Sequence, residues 1–229
     1  MTQKIIDLVD RQVNKSLLAQ SSLQEEKGTA PKPLPYRRVI TISRELGSGG
    51  RRVAEELANM LQLSLWDREL VERIAEDADV ADHLVRHFDE HVVSEIEVLV
   101  RHLAGEPRIG GFQYKRHLAR TILQIARIGN AIILGRGANF ILPHALNVRI
   151  VASCEVRIHN LIQFEGMSRR EAEDAIQRSD RERADFTRRL WGRKWDDPLC
   201  YDMTLRMDEM TNLDAASVIA AAFNRRFEH

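Results

Sequence analysis

The stretch from Arg38 to Leu57 carries the densest chemical signal in the chain: Arg-Val-Ile-Thr-Ile-Ser-Arg-Glu-Leu-Gly-Ser-Gly-Gly-Arg-Arg-Val-Ala-Glu-Glu-Leu. A β-branched run, Val39 to Ile42, stops at Ser43, passes Gly47, Gly49 and Gly50, and resumes with helical periodicity at Val53, Leu57 and Leu61. That order predicts a strand, a tight loop and a helix. Glycines let a backbone turn so that successive N–H groups point inward, and a helix N-terminus adds partial positive charge. Gly47, Ser48, Gly49, Gly50 and Arg51 are therefore the expected phosphate cradle. Against the phosphate-binding spacing G-x-x-x-x-G-K-[ST], Arg44 stands at the first glycine, Gly49 at the second, Gly50 at the lysine and Arg51 at the hydroxyl residue. The spacing is kept and the two working side chains are replaced. Such a turn also serves as a plain βα connection, so other residues must decide.

Phosphoryl transfer asks a protein mainly to position phosphates and neutralise their charge. It calls for several guanidinium groups, each charge-assisted contact contributing about 1.5 to 3 kcal/mol. Arg51 and Arg52 open the first helix of this pattern, Arg73 lies in the second, Arg136 sits between two glycines after an apolar run, and Arg178, Arg181 and Arg183 share one helical segment. The segment Arg178 to Lys194 reads either as an exposed helix laced with local ion pairs or as a flap that closes over phosphates. Asp67 either holds magnesium through water or caps the helix that follows it. His83, His87 and His91 repeat every fourth residue, but with no ligand partner at diagnostic spacing they read as a polar helix face.

These residues need a scaffold. Short strands are expected at Val39 to Ile42, Leu63 to Trp66, Ala131 to Leu134, Asn147 to Ala152 and Tyr201 to Met207, alternating with helices. Helices are expected at Glu69 to Ala78, at Val80 to Leu103, at Tyr114 to Ile128, over 154–165, from a Ser168/Glu171 capping box onward, and at Asn212 to Phe227. A break falls at Gly105 to Gly111. Alternation predicts an α/β protein with a parallel sheet and ligands at the carboxyl ends of its strands, where the glycine loop, Asp67 and Gly135-Arg136-Gly137 all fall. An amphipathic helix fills residues 1–20 and a polar, proline-closed linker 21–36. The helix either packs back on the domain or binds a partner, most simply a second copy in a homodimer.

Lys plus Arg and Asp plus Glu number 34 each, a balance that argues against broad binding to nucleic acid or to an anionic membrane. No apolar run approaches the roughly 18 residues of a spanning helix, and Cys154 and Cys200 are too few for a disulfide framework. A cytoplasmic protein acting on small molecules is expected.

From Ile42-Ser-Arg-Glu-Leu-Gly-Ser-Gly-Gly-Arg51 and Asp67 at the second strand's end, the chain resembles the cytidylate-kinase-like P-loop family, over about residues 38 to 227. Asp67 and Arg73 match the first and last residues of that family's Asp-Ser-Gly-x-x-x-Arg motif. Gly135-Arg136 matches its Asp-Gly-Arg motif with Leu134 for the aspartate, and Arg178-Ser-Asp-Arg-Glu-Arg183 is similar to its lid run. The resemblance implies a three-layer αβα P-loop NTPase fold over 37–229, with a helical lid at about 168–197 and an insertion on the acceptor side. It implies ATP and Mg2+ as cofactors and transfer of phosphate to a nucleoside monophosphate, CMP or dCMP. Arg51 or Arg52 would stand in for lysine, Asp67, Arg73 and Arg136 would serve the acceptor, and Arg178, Arg181 and Arg183 would close from the lid. Two other readings are a nucleotide-binding regulatory module without catalysis and a kinase of a non-nucleotide metabolite.

Overall fold

The computed structural model describes residues 2–27, 38–104 and 112–227. Along the chain run α1 (Thr2–Lys27), β1 (Val39–Arg44), α2 (Gly50–Met60), β2 (Ser64–Trp66), α3 (Arg68–Glu76), α4 (Ala78–Val85), α5 (Glu90–Ala104) and α6 (Phe112–Ile128). They are followed by β3 (Ala131–Leu134), α7 (Ala138–Ile141), β4 (Leu146–Val151), α8 (Cys154–Glu165), α9 (Arg169–Trp191), a short 3-10 turn at Pro198–Cys200, β5 (Met203–Arg206) and α10 (Asn212–Phe227). The strands form one parallel sheet in the order β2-β3-β1-β4-β5. The expected α/β class and parallel sheet are present.

The sheet is buried on both faces, and the alternation of side chains along β1 divides two cores. Val39 points with Trp66, Ala131 and Ile133 into a cluster built from α1, α3, α4, α5 and α6. Ile40 and Ile42 point the other way, with Leu134, Val148 and Ile150, against α2 and α10. This continuous apolarity is what a parallel strand covered on both sides requires. The three layers of the expected αβα architecture follow from it.

Two expected boundaries moved. The helix placed at 1–20 continues to Lys27, because Leu23, Gln24, Glu25, Glu26 and Lys27 are good helix formers whose polarity alone breaks nothing. The remainder of the expected linker, 28–36, and the Gly105 to Gly111 break lie outside the described residues. The single helix expected at Val80 to Leu103 is two, α4 and α5. The Asp89 carboxylate accepts from the Val92 N–H (2.9 Å) and starts a second helix, just as Asp77 accepts from Asp79 and Val80 to start α4. Unbroken apolar periodicity hid the Asp89 cap, whereas the start of α4 falls two residues from its expected place.

α1 packs back on the domain. Val9 and Val13 are fully buried in the first core, and the Ser16 hydroxyl meets that of Ser64 at 2.7 Å. Gln12 Oε1 accepts from the Leu65 N–H (3.0 Å), covering the sheet edge at β2. Asp10 receives His83 at 2.7 Å and His87 at 3.7 Å, so two of the three spaced histidines anchor this helix, while His91 pairs with Glu95 on the surface. Among the described residues no helix is long and apolar enough to cross a membrane. Val13→Ala is expected to cost about 2 kcal/mol, lowering the melting temperature by about 4 to 8 °C for a chain of this size. Thermal denaturation checks this, since a helix reserved for a partner would leave the transition unmoved.

Candidate functional site

β1 ends at Arg44, and the loop Glu45 to Gly49 leads into α2. Gly47 (φ 78°) and Gly49 (φ 81°) take left-handed conformations that other residues rarely adopt. A Cβ on Gly47 would lie 2.6 Å from the Arg157 carbonyl oxygen, so the loop packs straight onto the backbone of α8. The Ser48 hydroxyl donates to the Glu45 carbonyl (2.9 Å) and braces the turn. Gly49 offers α2 no side-chain cap, and its first turn holds no acid. The opening N–H groups of that helix are therefore left for an anion.

An ionic frame holds this loop in place. Arg157, on α8, donates to the Leu46 carbonyl (2.7 Å) and grips both oxygens of Asp180 on α9 (2.9 and 2.8 Å). Glu45 takes Arg149 of β4 at 3.2 Å and Arg157 at 3.6 Å, and accepts from the Ala152 N–H. Asn160 adds a donor to the Gly47 carbonyl (2.8 Å).

Two hollows flank the loop. The larger, about 650 Å³, lies between the loop and α2 on one side and α8 and the Met207 to Asn212 segment on the other. The smaller, about 290 Å³, lies under α9, between the ends of β1 and β3 and the residues Trp195 and Tyr201. Arg44 and Arg183 line both. Burial pushes each of these guanidinium groups down to about 10, opposed for Arg183 by Asp180; for Arg44 the charges of Arg183, Arg68 and Arg51 add to it. Both remain cationic at neutral pH.

Residues 39–209 match the profile of the Cytidylate kinase-like family. The chain belongs to the cytidylate kinase-like family. Membership brings a kinase-like function on nucleotides or other small molecules in that general sense. No curated protein sequence matches the chain. Among solved structures, an uncharacterized protein from Eubacterium ventriosum is 22% identical, with a TM-score of 0.57 over 82% of this chain and 99% of that one, a likeness of fold. Shikimate kinases from Acinetobacter baumannii (11% identical, TM-score 0.45, 82% and 94% covered) and Bacteroides thetaiotaomicron (14%, 0.44, 83% and 98%) lie further off.

In this cytidylate kinase-like chain the residues singled out by sequence separate into two groups. Gly47, Ser48, Gly49, Gly50, Arg51 and Arg52 all line the larger cleft. Arg51 is largely exposed and paired with Glu55 (3.2 Å) and Asp67 (3.7 Å), while Arg52 stacks on Phe164 at 3.6 Å. Arg136 lines the smaller cavity, its Nη1 on Glu72 (2.9 Å) and its guanidinium over the Phe186 ring (4.7 Å). Asp67 caps α3 by accepting from the Leu70 N–H (2.9 Å). Arg73, Arg178 and Arg181 are exposed and line neither hollow. Helical phase explains the last two: Arg183 lies five residues beyond Arg178, about 140° around the axis, and turns inward with Ser179 and Phe186. Leu134, where the family motif has an acid, is buried in the core under α2.

Sequence reading passed over Arg44, Arg68 and Arg157. Arg68 lines the smaller cavity beside Glu72 (3.4 Å). Arg157 had a legible signal, since it shares the inward face of α8 with Ile158 and Leu161, a place where an unpaired charge is not tolerated. Asp180→Ala is expected to leave Arg157 buried without its bidentate partner and to lower stability by about 3 kcal/mol. Denaturant unfolding checks this, and a change under about 1 kcal/mol would show that the frame does not hold the loop.

Proposed function

We propose that this chain transfers a phosphoryl group from ATP to a small anionic acceptor, in the first instance a nucleoside monophosphate such as CMP or dCMP. The observation that carries the reading is the arrangement of two hollows, one on the glycine loop and one under α9, with Arg44 and Arg183 common to both. Donor and acceptor phosphates are both anionic, so bringing them together needs positive charge at their boundary.

The larger cleft suits a triphosphate. Its loop can follow this path only because Gly47 and Gly49 lack a Cβ, which would run into the α8 backbone and the Asn212 side chain, and α2 begins without a cap. Met207, Met210, Leu161 and Phe164 give the same cleft apolar surface for a base. Magnesium, when bound, neutralises triphosphate charge; Asp67 does not fit as its direct ligand, since its carboxylate caps α3, faces Arg51 and lines neither hollow. On the acceptor side Arg136, Arg68 and Arg189 face the smaller cavity. In the transfer, an acceptor phosphate oxygen bonds to the terminal phosphorus while the bond to the bridging oxygen breaks, and ADP leaves with that electron pair. The attacking phosphate is ionised at neutral pH, so the step needs no general base, consistent with a site rich in arginine. α9 covers the acceptor cavity with Phe186 and packs Trp191 onto Gly137, which keeps water from competing as acceptor.

The volume of the smaller cavity, about 290 Å³, lies at the low end for ligand pockets. It favours a second reading with a compact anionic metabolite in place of the nucleotide.

ADP formation measured across a panel of nucleoside monophosphates and small phosphorylated or carboxylated metabolites tests both readings. The expected outcome is turnover on one class that falls at least 100-fold, about 3 kcal/mol of transition-state stabilisation, in an Arg136→Ala, Arg183→Ala double variant. Arg181→Ala is expected to stay within about 2-fold. Tight ATP binding with no product from any acceptor would sink the catalytic reading.

A further inference from the structure

We propose that Arg44 is the phosphate-binding cation of the glycine loop, and that it and Gly50 have exchanged the places that a glycine and a lysine hold in the G-x-x-x-x-G-K spacing. The inference rests on the phosphoryl-transfer reading only for the identity of the anion.

Pairing marks Arg44 out. Arg51 leans on Glu55 and Asp67, Arg52 on the Phe164 ring, Arg136 on Glu72, and Arg183 on Ser179 and Asp180. The Arg44 guanidinium makes no hydrogen bond and no ion pair among the described residues, although it lies at the boundary of both hollows. A largely buried charge without an ion pair or hydrogen bond is costly, and like charges from Arg183, Arg68 and Arg51 add to that cost, which the more weakly felt Asp67 carboxylate offsets only in part. An anion at the boundary removes both penalties at once.

Space explains why this arginine and a lysine at position 50 exclude each other. A Cβ on Gly50 would lie 2.7 Å from the Arg44 Cβ, and further along the same side chain a Cβ on Gly135 would lie 3.1 Å from its Nη1. The Arg44 side chain thus runs over Gly50 and along Gly135. Any side chain at 50 would have to displace it. The missing lysine is therefore the steric counterpart of an arginine six residues earlier. Arg51 and Arg52 point their charge at surface partners and are not the substitutes.

Calorimetric titration of the full chain with inorganic tripolyphosphate tests the proposal directly, with thermal denaturation of the unliganded protein alongside. Arg44→Met, which keeps the apolar stem, is expected to weaken tripolyphosphate binding at least 10-fold while leaving the melting temperature unchanged or higher, since an unpaired buried charge has been removed. A residue with a merely structural role would lower it. Gly50→Lys alone is expected to lose binding, and Arg44→Gly combined with Gly50→Lys to recover it to within about 3-fold of the wild type. Wild type that does not bind tripolyphosphate, Arg44→Met that binds like wild type, or a double variant no better than Gly50→Lys overturns the proposal. Tripolyphosphate binding that depends on Arg44 in a protein turning over no acceptor supports the seat and counts only against the transfer reading.

Discussion

Two guanidinium groups with almost no access to water, those of Arg149 and Arg157, converge on one carboxylate, Glu45, and the remainder of the site depends on that convergence. Glu45 is the first residue after β1. Arg149 brings in β4, Arg157 brings in α8, and through Asp180 the same knot reaches α9. Charges on Glu45 and Asp180 balance those of the two arginines, so the group is self-neutralising and can be buried. What it fixes is the path of the glycine loop, whose carbonyls at Leu46 and Gly47 are tied to α8. A phosphate cradle works only if its N–H groups are held before the anion arrives, and here the holding is ionic.

That frame divides the arginines of the chain by task. Arg149 and Arg157 are sunk into the frame and brace elements, while Arg44, Arg68, Arg136 and Arg183 face the hollows, the last three with a carboxylate beside them. Composition alone gives no hint of the division, because equal numbers of acidic and basic residues describe both a fully paired surface and one with a concentrated cationic seam. The seam here runs along Arg44, Arg68 and Arg183, contributed by β1, the start of α3 and α9.

Elements with strong local signatures were legible in sequence. Ala131 to Leu134 was a strand because four apolar residues stood between turn formers, and α8, the capping box of α9 and α10 were read to the residue. α7 was missed, as four residues give no periodicity. The site was only half legible, for a reason of geometry: sequence says which residues are basic, while helical phase says which of them face inward. Arg178, Arg181 and Arg183 looked equivalent in the string, and one of them turns toward the hollows. Arg44 looked like a defect because it filled a glycine's position, and its meaning needed the distance to Gly50.

The covering of β2 by α1 has a consequence for how the chain reaches its native state. β2 is three residues long at the rim of the sheet, and its outward N–H at Leu65 is closed by Gln12. Asn130, next to β3, closes on the Ser16 carbonyl across 114 positions. α1 therefore finds its full set of partners only where β2 and β3 lie side by side, and these long-range contacts carry a high loop-closure cost. Without α1 the rim of the sheet would be open to another chain's strand. α1 thus acts as the protein's own guard against edge-to-edge aggregation.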